Sequence, residues 1–370
     1  MSAQDEGPVG GPGEPSSHYY GGQAVIEGVM MRGSDRWAVA VRRPDGDIWL
    51  ECHPVSDAQQ RRRWLRLPLV RGCYALVDSL RIGTRALGIS ADQAMDEEEL
   101  EAGGGVAVGA SLLVALVLFV GIFIVLPSAG TKGLDRLLGG VLGDGVAFHT
   151  IESVVRIAIF LTYLWAISLL PDIRRVFQYH GAEHKTIAAW EHDEVLEPAT
   201  VDRYSTLHVR CGTNFLILVM LLAMVVYTVG GVLVPPPADA GFLVGVAYHV
   251  TLRVVLLPVV AGMAYEGLRL GAAHGDNPLV GALMLPGLWL QRITTKPPSV
   301  DQIEVAIRSF EAVVPEDVRD GRVPHTLGSL VTLARDGLPV QLTAATTRVH
   351  GDPPPTPEAR PAGATDPEAR

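Results

Sequence analysis

Two histidines and a glutamate with metal-binding spacing stand in the stretch 178-QYHGAEHKTIAAW-190. His180 and His184 are four residues apart, so on a helix both imidazoles lie on one face and can bind one ion. Neutral imidazole is the commonest metal ligand in proteins, and two such ligands at this spacing suit zinc. Glu183 lies beside His184, where it can act as the general base for a water molecule on the ion. The order H-x-x-E-H is that of the inverzincins, so the stretch predicts a zinc-like site with Glu183 as its catalytic residue.

This site needs further ligands, because a catalytic zinc ion takes three protein ligands and keeps its fourth position open. Glu266 is the predicted third ligand, since inverzincin sites use a downstream carboxylate. His208 and Cys211 have H-x-x-C spacing and would instead close an inert structural site, and His274 is a further alternative ligand. A plainer alternative is that polar side chains at the end of a membrane helix are solvated and bind nothing. The sequence leaves these assignments open.

A second group of polar residues lies in 21-GGQAVIEGVMMRG-33, where four glycines bracket one acid, Glu27, and one base, Arg32. The segment contains neither of the common glycine-rich nucleotide-binding motifs, and its glycines favour tight turns and close backbone approach. Two roles are compatible with this pattern. The acid and the base form a structural ion pair, or they edge the metal site and Arg32 holds a substrate anion.

Arg253 is a third candidate, because it stands with His249 in the middle of an apolar segment. Charges within a membrane are costly and usually face the interior of a helix bundle. Glu152 and Asp144 are the predicted partners of Arg253. A structural ion pair and an ion pathway fit the sequence equally well, although the lack of an internal repeat argues against a transporter.

Apolar segments must position these residues. Only 19% of the 370 residues are charged and the mean hydropathy is +0.26, which favours a membrane protein. About 20 mainly apolar residues are needed to span a bilayer. Four segments meet this criterion: 106–126, 151–170, 215–234 and 242–262. The run 279–291 is shorter and contains a proline, so we predict an interfacial or re-entrant piece.

Basic residues between the second and third segments predict the orientation. They place the N-terminus, the 171–214 loop and the C-terminus in the cytoplasm of a multi-pass inner-membrane protein. The arginines of 61-RRRWLR-66 suit an anionic leaflet, so the lipid bilayer is an expected partner and nucleic acid is not. A membrane-protein partner or a homo-oligomer also fits. The three cysteines form no disulfide framework and indicate a reducing compartment.

These patterns predict a membrane α-helical fold with four transmembrane helices and a small cytoplasmic α+β portion. The cytoplasmic portion combines a β-hairpin from 37–43 and 48–55, an amphipathic helix over 67–80, the 171–214 loop and a C-terminal amphipathic helix over 299–315. The predicted division of the chain is a disordered tail (1–17), an N-terminal cytoplasmic segment (18–95), a membrane domain (106–290), a cytoplasmic helical segment (291–340) and a second disordered tail (341–370).

Five motifs and the C-terminal helix together resemble a family of bacterial membrane proteins, domain of unknown function 1385. The resemblance covers about residues 19–315 and rests on 21-GGQAVIEGVMMRG-33, 68-PLVRGCYALVDSL-80, 179-YHGAEHKTI-187, 209-VRCGTNFL-216, 266-EGLRLGAAH-274 and 302-QIEVAIRSFEAV-313. It implies a multi-pass inner-membrane protein with a metal site, and its members are described as predicted metal-dependent enzymes. The run His208-Val209-Arg210-Cys211 departs from the H-P-R-C of similar proteins but keeps the histidine and the cysteine.

Three functions of different class follow from these residues. The first is a membrane-embedded metal-dependent hydrolase, in which His180, His184 and Glu266 bind a divalent, zinc-like ion and Glu183 activates water. The second is a non-catalytic membrane scaffold or assembly factor whose His/Cys/Glu cluster is structural. An ion or metabolite transporter centred on the intramembrane arginine is the third.

Overall fold

One small antiparallel sheet and a set of long helices form the fold in the computed structural model, which describes residues 20–56, 58–95, 113–142, 145–209, 211–236, 241–273 and 277–315. The strands are β1 (Gly21–Val25), β2 (Gly28–Arg32), β3 (Arg36–Arg42) and β4 (Ile48–Pro54). The helices are α1 (Ala58–Arg61), α2 (Val70–Ala94), α3 (Leu113–Leu137), α4 (Val146–Ile167), α5 (Pro171–Glu191), α6 (Pro198–Val201), α7 (Gly212–Leu233), α8 (Phe242–Ala273), α9 (Pro278–Thr294) and α10 (Val300–Val313). A 3₁₀ turn, Arg63–Arg66, lies between α1 and α2.

The sheet is a meander in which each strand pairs antiparallel with the next, in the order β1-β2-β3-β4. Strands β3 and β4 form the hairpin predicted from the sequence, with Gly46 at a φ of 92° in the turn between them. The sheet is larger than that hairpin, because the glycine-rich segment supplies β1 and β2. The turn between those two strands is Ile26-Glu27, which lacks the usual glycine or asparagine and instead places Glu27 at a φ of 51°.

The two faces of the sheet are covered by different helices, because successive side chains of a strand point to opposite faces. On one face, Met31 and Ala40 pack with Ile187 of α5 and Phe310 of α10 in one buried cluster. On the other face, Trp37, Val39 and Val41 pack with α2 in a second cluster. The sheet is therefore the middle layer between α2 and the pair α5 and α10.

Within the described residues, four helices are long and apolar enough to cross a membrane: Leu113–Leu137, Val146–Ile167, Gly212–Leu233 and Leu243–Gly271. At 1.5 Å per residue, the shortest of them is about 33 Å long, which matches the hydrocarbon core of a bilayer. They agree in number and order with the predicted segments, although residues 106–112 of the first segment lie outside the described residues. Their outward faces are apolar, since Leu118, Val225 and Val255 are 56%, 54% and 66% exposed.

Helices α9 and α10 bring the end of the described chain back to the sheet. Helix α9 corresponds to the short apolar run of the sequence, keeps Pro286 inside the helix and packs on α7, where Gly287 lies against Asn214. Helix α10 begins at the predicted serine cap, and Ser299 and Gln302 form a capping box there. Between the two helices, the Lys296 N–H donates to the carbonyl of Phe177 in α5 at 2.8 Å. This bond ties the connection to the helix that carries the H-x-x-E-H motif.

Candidate metal centre

Helix α5 carries the motif on its buried half. The helix begins at Pro171, a favoured first-turn residue, and Asp172 complements the helix dipole there. It continues without interruption through Gly181. That glycine is needed for close packing, because a Cβ at this position would overlap the carbonyl oxygen of Lys296. The glycine within the motif thus lets the α9–α10 connection lie directly on the helix.

Three side chains converge beside this connection. A nitrogen of His180, a nitrogen of His184 and the sulfur of Cys211 all lie within 4.8 Å of one another. His180 Nε2 lies 3.3 Å from Cys211 Sγ, and the two imidazole centroids are 4.4 Å apart. Nitrogen and sulfur ligands of a tetrahedral zinc ion are separated by roughly 3.3–3.8 Å, given metal–ligand distances of about 2.0–2.3 Å. The three ligand atoms therefore have spacings close to those that an ion requires.

Backbone carbonyls orient both imidazoles toward the sulfur. His180 Nδ1 donates to the carbonyl of Thr294 at 2.8 Å, and His184 Nδ1 donates to the carbonyl of Thr206 at 2.6 Å. A carbonyl oxygen only accepts, so the proton of each neutral ring is on Nδ1 and the lone pair is on Nε2. Metal-binding histidines are oriented by hydrogen bonds of this type. The arrangement presents two nitrogen lone pairs to one point.

Cys211 lies at the N-cap of α7, where its sulfur accepts hydrogen bonds from Thr213 N at 3.4 Å and Thr213 Oγ1 at 3.3 Å. Burial acts to raise the pKa of its thiol, but the charges and hydrogen bonds of His184 and His180 outweigh burial and leave the pKa well below its usual value. The dipole of α7 favours the same charge state. The sulfur is a thiolate, which is the form that binds metals.

The proton balance between Cys211 and His180 is coupled. Burial acts to lower the pKa of His180, yet the neighbouring thiolate and its hydrogen bond raise that pKa to about 9. Without an ion, the centre is thus an imidazolium–thiolate pair at neutral pH. An ion that binds to His180 Nε2 has to displace this proton.

Glu183 lies next to the three ligands and is only 5% exposed. A backbone hydrogen bond from Gly22 reaches its carboxylate, and burial raises its pKa above the usual value. Its Oε2 atom makes no hydrogen bond with any described residue. A Cβ at Gly22 would lie 2.7 Å from the Glu183 carboxyl carbon. The second glycine of the N-terminal motif therefore makes room for this carboxylate.

His208, an alternative ligand in the sequence, lies behind the three converging side chains. Its Nε2 is 3.2 Å from a carboxylate oxygen of Glu191, and its ring centroid is 5.7 Å from that of His184. Its backbone N–H and carbonyl both bond to the side chain of Gln291 at 2.8 Å. The structure thus separates the two residues of the H-x-x-C pair: Cys211 joins the centre, and His208 holds the surrounding chain.

Glu266, the predicted third ligand, lies elsewhere in the structure. Arg71 binds both of its carboxylate oxygens, with a distance of 2.6 Å from Nε to Oε1, and the N–H of Leu69 donates to it at 3.4 Å. This ion pair joins α2 to α8, so the Glu266 carboxylate is already bound by the Arg71 guanidinium. Among the described residues, Cys211 is the third side chain within ligand distance of His180 and His184, while the alternative ligand His274 lies outside them.

Glu27 and Arg32 pair with other elements and not with each other. Glu27 is bound by Arg175 of α5, with 2.6 Å between Oε2 and the guanidinium, and it accepts a hydrogen bond from Tyr179 at 3.3 Å. Arg32 forms a salt bridge of 2.8 Å with Asp78 of α2. Both side chains fasten the sheet to a neighbouring helix.

Arg253 is buried between the long helices. It binds the carboxylate of Glu152, which is one of its two predicted partners. Arg156 and Ser128 also donate to Glu152, at 2.8 Å and 2.7 Å. The other predicted partner, Asp144, lies outside the described residues. This group links α3, α4 and α8, and it shares no residue with the candidate metal centre.

Sequence reasoning missed the backbone carbonyls and the glutamine side chain that hold the candidate centre in place. The carbonyls of Thr206 and Thr294 orient the imidazoles, but a backbone carbonyl carries no mark in a sequence. Gln291 holds the chain before Cys211 from a point eighty residues further on. The one available signal was the cysteine itself, which stands immediately before an apolar helix and three residues after a histidine.

Comparisons with known proteins identify a family and a relative of this chain. Residues 67–316, which include all three converging side chains, match the family described as Protein of unknown function (DUF1385). The chain is also similar to "Uncharacterized protein YqhQ" of Bacillus subtilis (strain 168), with 35% identity over 310 residues that cover 80% of this chain and 92% of that protein. No solved structure matches the chain.

Proposed function

This chain belongs to the family described as Protein of unknown function (DUF1385), and we propose that it is a metal-dependent hydrolase of the inner membrane. The observation that carries the proposal is the convergence of His180, His184 and Cys211, with the Nδ1 atom of each imidazole held by a carbonyl. Two imidazoles and one thiolate form a ligand set of the kind found in zinc sites. Magnesium and calcium are disfavoured, since they prefer oxygen ligands.

The number of ligands favours catalysis over a purely structural role. Three protein ligands leave one tetrahedral position for water or substrate. When bound, a zinc ion supplies Lewis acidity and lowers the pKa of water. Glu183 is the residue of this chain that moves the proton, because its Oε2 atom is free of described partners and lies beside the ligands. Burial raises the pKa of Glu183 and so makes it a better base than an exposed carboxylate.

The proposed location is the cytoplasmic face of the membrane. The connection between α4 and α7 carries the centre and holds Arg174, Arg175, Lys185 and Arg203, and such basic connections stay in the cytoplasm. The sheet, α5 and α10 share one buried cluster, so both ends of the described chain lie on the same side as this connection. We place the N- and C-termini on this side of a multi-pass protein.

Metal analysis of the purified protein tests the proposal. We expect about one zinc ion per chain in the wild type, since one set of three ligands binds one ion, and loss of that ion in His184→Ala and Cys211→Ala. Cobalt substitution adds a direct readout, because thiolate ligation gives a sulfur-to-cobalt charge-transfer band that Cys211→Ser should remove. A wild-type protein without metal under these conditions contradicts the proposal.

Glu183→Gln separates catalysis from metal binding. The variant should keep its ion but lose hydrolysis of chromogenic ester, phosphate or peptide substrates by about 10²–10⁴-fold, the usual contribution of a general base. The matched control is Glu191→Gln, which changes a carboxylate of the same helix that bonds His208 and not a ligand. Equal activity of Glu183→Gln and wild type would leave no role for this residue in proton transfer.

A structural centre in a scaffold or assembly factor is the second candidate function. Burial favours it, since His184 is 1% and Cys211 8% exposed, and buried zinc sites are commonly closed. Extended X-ray absorption fine structure (EXAFS) of the zinc-loaded protein reports the atoms that coordinate the ion and so distinguishes the two functions. Three protein ligands and one light oxygen atom support catalysis, whereas four protein ligands support the structural role.

A further inference from the structure

Around the start of α2, several apolar side chains are exposed among the residues that the structure describes. Trp64, Leu67, Val77 and Leu80 are 56%, 55%, 64% and 59% exposed. The last two are three residues apart on a helix and therefore lie on one face. Exposed apolar side chains that cluster in this way mark a surface that an apolar partner covers. We call residues 61–69 together with this face of α2 the α2 surface.

Arginines flank the same surface. Four of the six residues in 61-RRRWLR-66 are arginines, and all four are exposed. The side chains of Arg62 and Arg63 make no hydrogen bond or ion pair with any residue that the structure describes. Because a guanidinium forms paired hydrogen bonds with phosphate oxygens, an arginine run beside an apolar face fits a ligand that combines phosphate with hydrocarbon.

Contacts with α8 fix the depth of this surface. Gly72 packs against Gly262, Cys73 Sγ donates to the carbonyl of Pro258 at 3.1 Å, and Arg71 binds Glu266. The three α8 residues belong to Leu243–Gly271, one of the helices long and apolar enough to cross a membrane. Gly262 is the last residue of the apolar segment 242–262, and Glu266 lies just beyond it, so the first residues of α2 lie beside the end of this segment, where lipid headgroups would lie.

We propose that the α2 surface is a binding site for anionic phospholipid headgroups, with Arg62 and Arg63 on the phosphates and the exposed apolar side chains beside the acyl chains. The position at the end of a spanning helix selects lipid over a soluble partner. The arginine run selects an anionic over a zwitterionic headgroup, since no described acidic side chain pairs with Arg62 or Arg63. The site depends on the membrane placement and not on hydrolase activity, so each can fail without the other.

Thermal unfolding of the detergent-purified full chain tests the site. Added phosphatidylglycerol should raise the unfolding midpoint of the wild type by several degrees, and phosphatidylcholine at the same concentration should not. The double variant Arg62→Gln/Arg63→Gln should lose most of this rise while its midpoint without lipid stays unchanged, because neither side chain has a described partner. Arg203→Gln, which removes an exposed arginine from another part of the chain, should respond to phosphatidylglycerol like the wild type.

Three outcomes would overturn the proposal. The first is an equal effect of phosphatidylcholine, which would show that charge is not recognised. The second is an undiminished rise in the double variant. The third is a full effect of inorganic phosphate alone, which would show a free-phosphate site without a role for acyl chains. Native mass spectrometry supplies a second readout, in which the double variant should retain fewer phosphatidylglycerol molecules per chain.

Discussion

At the scale of single residues, the candidate centre depends on small and backbone groups as much as on its ligands. Gly22 gives Glu183 its space, and Gly181 gives the α9–α10 connection its place on α5. The last residue of α9, Thr294, lies directly before that connection and supplies its carbonyl to His180. The close packing at Gly181 thus positions the carbonyl of Thr294, and this carbonyl orients the Nε2 lone pair of His180.

Gly22→Ala should disturb the centre, and Gly21→Ala should not. The new methyl group at position 22 would lie 2.7 Å from the carboxyl carbon of Glu183, whereas position 21 has no atom within 4 Å. We expect Gly22→Ala to lower hydrolysis by at least tenfold while zinc content stays near that of the wild type. Assays of rate and metal content on both variants check this, and equal rates for the two would contradict it.

The affinity for zinc should fall as the pH falls from 9 to 7. The Cys211 thiolate holds the pKa of His180 at about 9 in the metal-free centre, so below that pH an ion has to displace one proton. The sign is therefore tighter binding at higher pH, with about a tenfold change in affinity per pH unit for one proton. Competition titrations with a chromophoric chelator measure it. An affinity independent of pH over this range would be inconsistent with the imidazolium–thiolate pair.

At the scale of elements, the sequence reveals each long helix but not every strand or partner. Length and apolarity suffice for the four long helices, because few soluble segments share that composition. The sequence favours tight turns in 21–33 but does not delimit β1 and β2, since the turn between them uses Ile26-Glu27 in place of a glycine or asparagine turn. The third ligand is ambiguous for a similar reason: Glu266 and Cys211 both follow the motif, and only packing assigns the carboxylate to Arg71.

Glu266→Gln should leave zinc binding intact and weaken the attachment of α2 to α8. The carboxylate binds Arg71, and an exposed ion pair of this kind contributes modestly to stability. We expect unchanged zinc content and a drop of a few degrees in the unfolding midpoint. Metal analysis beside thermal unfolding provides the test, and loss of zinc would restore Glu266 as a ligand.

At the scale of the whole molecule, one buried cluster joins the beginning and the end of the described chain. Met31 of β2, Ile187 of α5 and Phe310 of α10 all belong to it. The helix that carries His180 and His184 therefore shares its core with a strand and with the last described helix. Rigidity of the centre depends on all three segments.

Phe310→Ala should destabilise this cluster far more than Val300→Ala. Phe310 is fully buried, whereas Val300, on the same helix, is 60% exposed. Removal of a buried phenyl ring typically costs about 3–5 kcal/mol, and a surface change costs about 0.5 kcal/mol or less. Membrane abundance and the unfolding midpoint should both fall for Phe310→Ala alone. Similar losses in the two variants would show that α10 does not cover the sheet.

The late position of α10 has a consequence for biosynthesis. The sheet leaves the ribosome first, yet the helix that covers one of its faces follows about 250 residues later, which takes on the order of 10–50 s at bacterial rates of translation. During that interval the residues of the long apolar helices are synthesised, while the apolar side chains of β2 and β3 still lack the cover that α10 provides. The face of the sheet that α5 and α10 share is therefore completed only after the residues of all the long apolar helices have been synthesised.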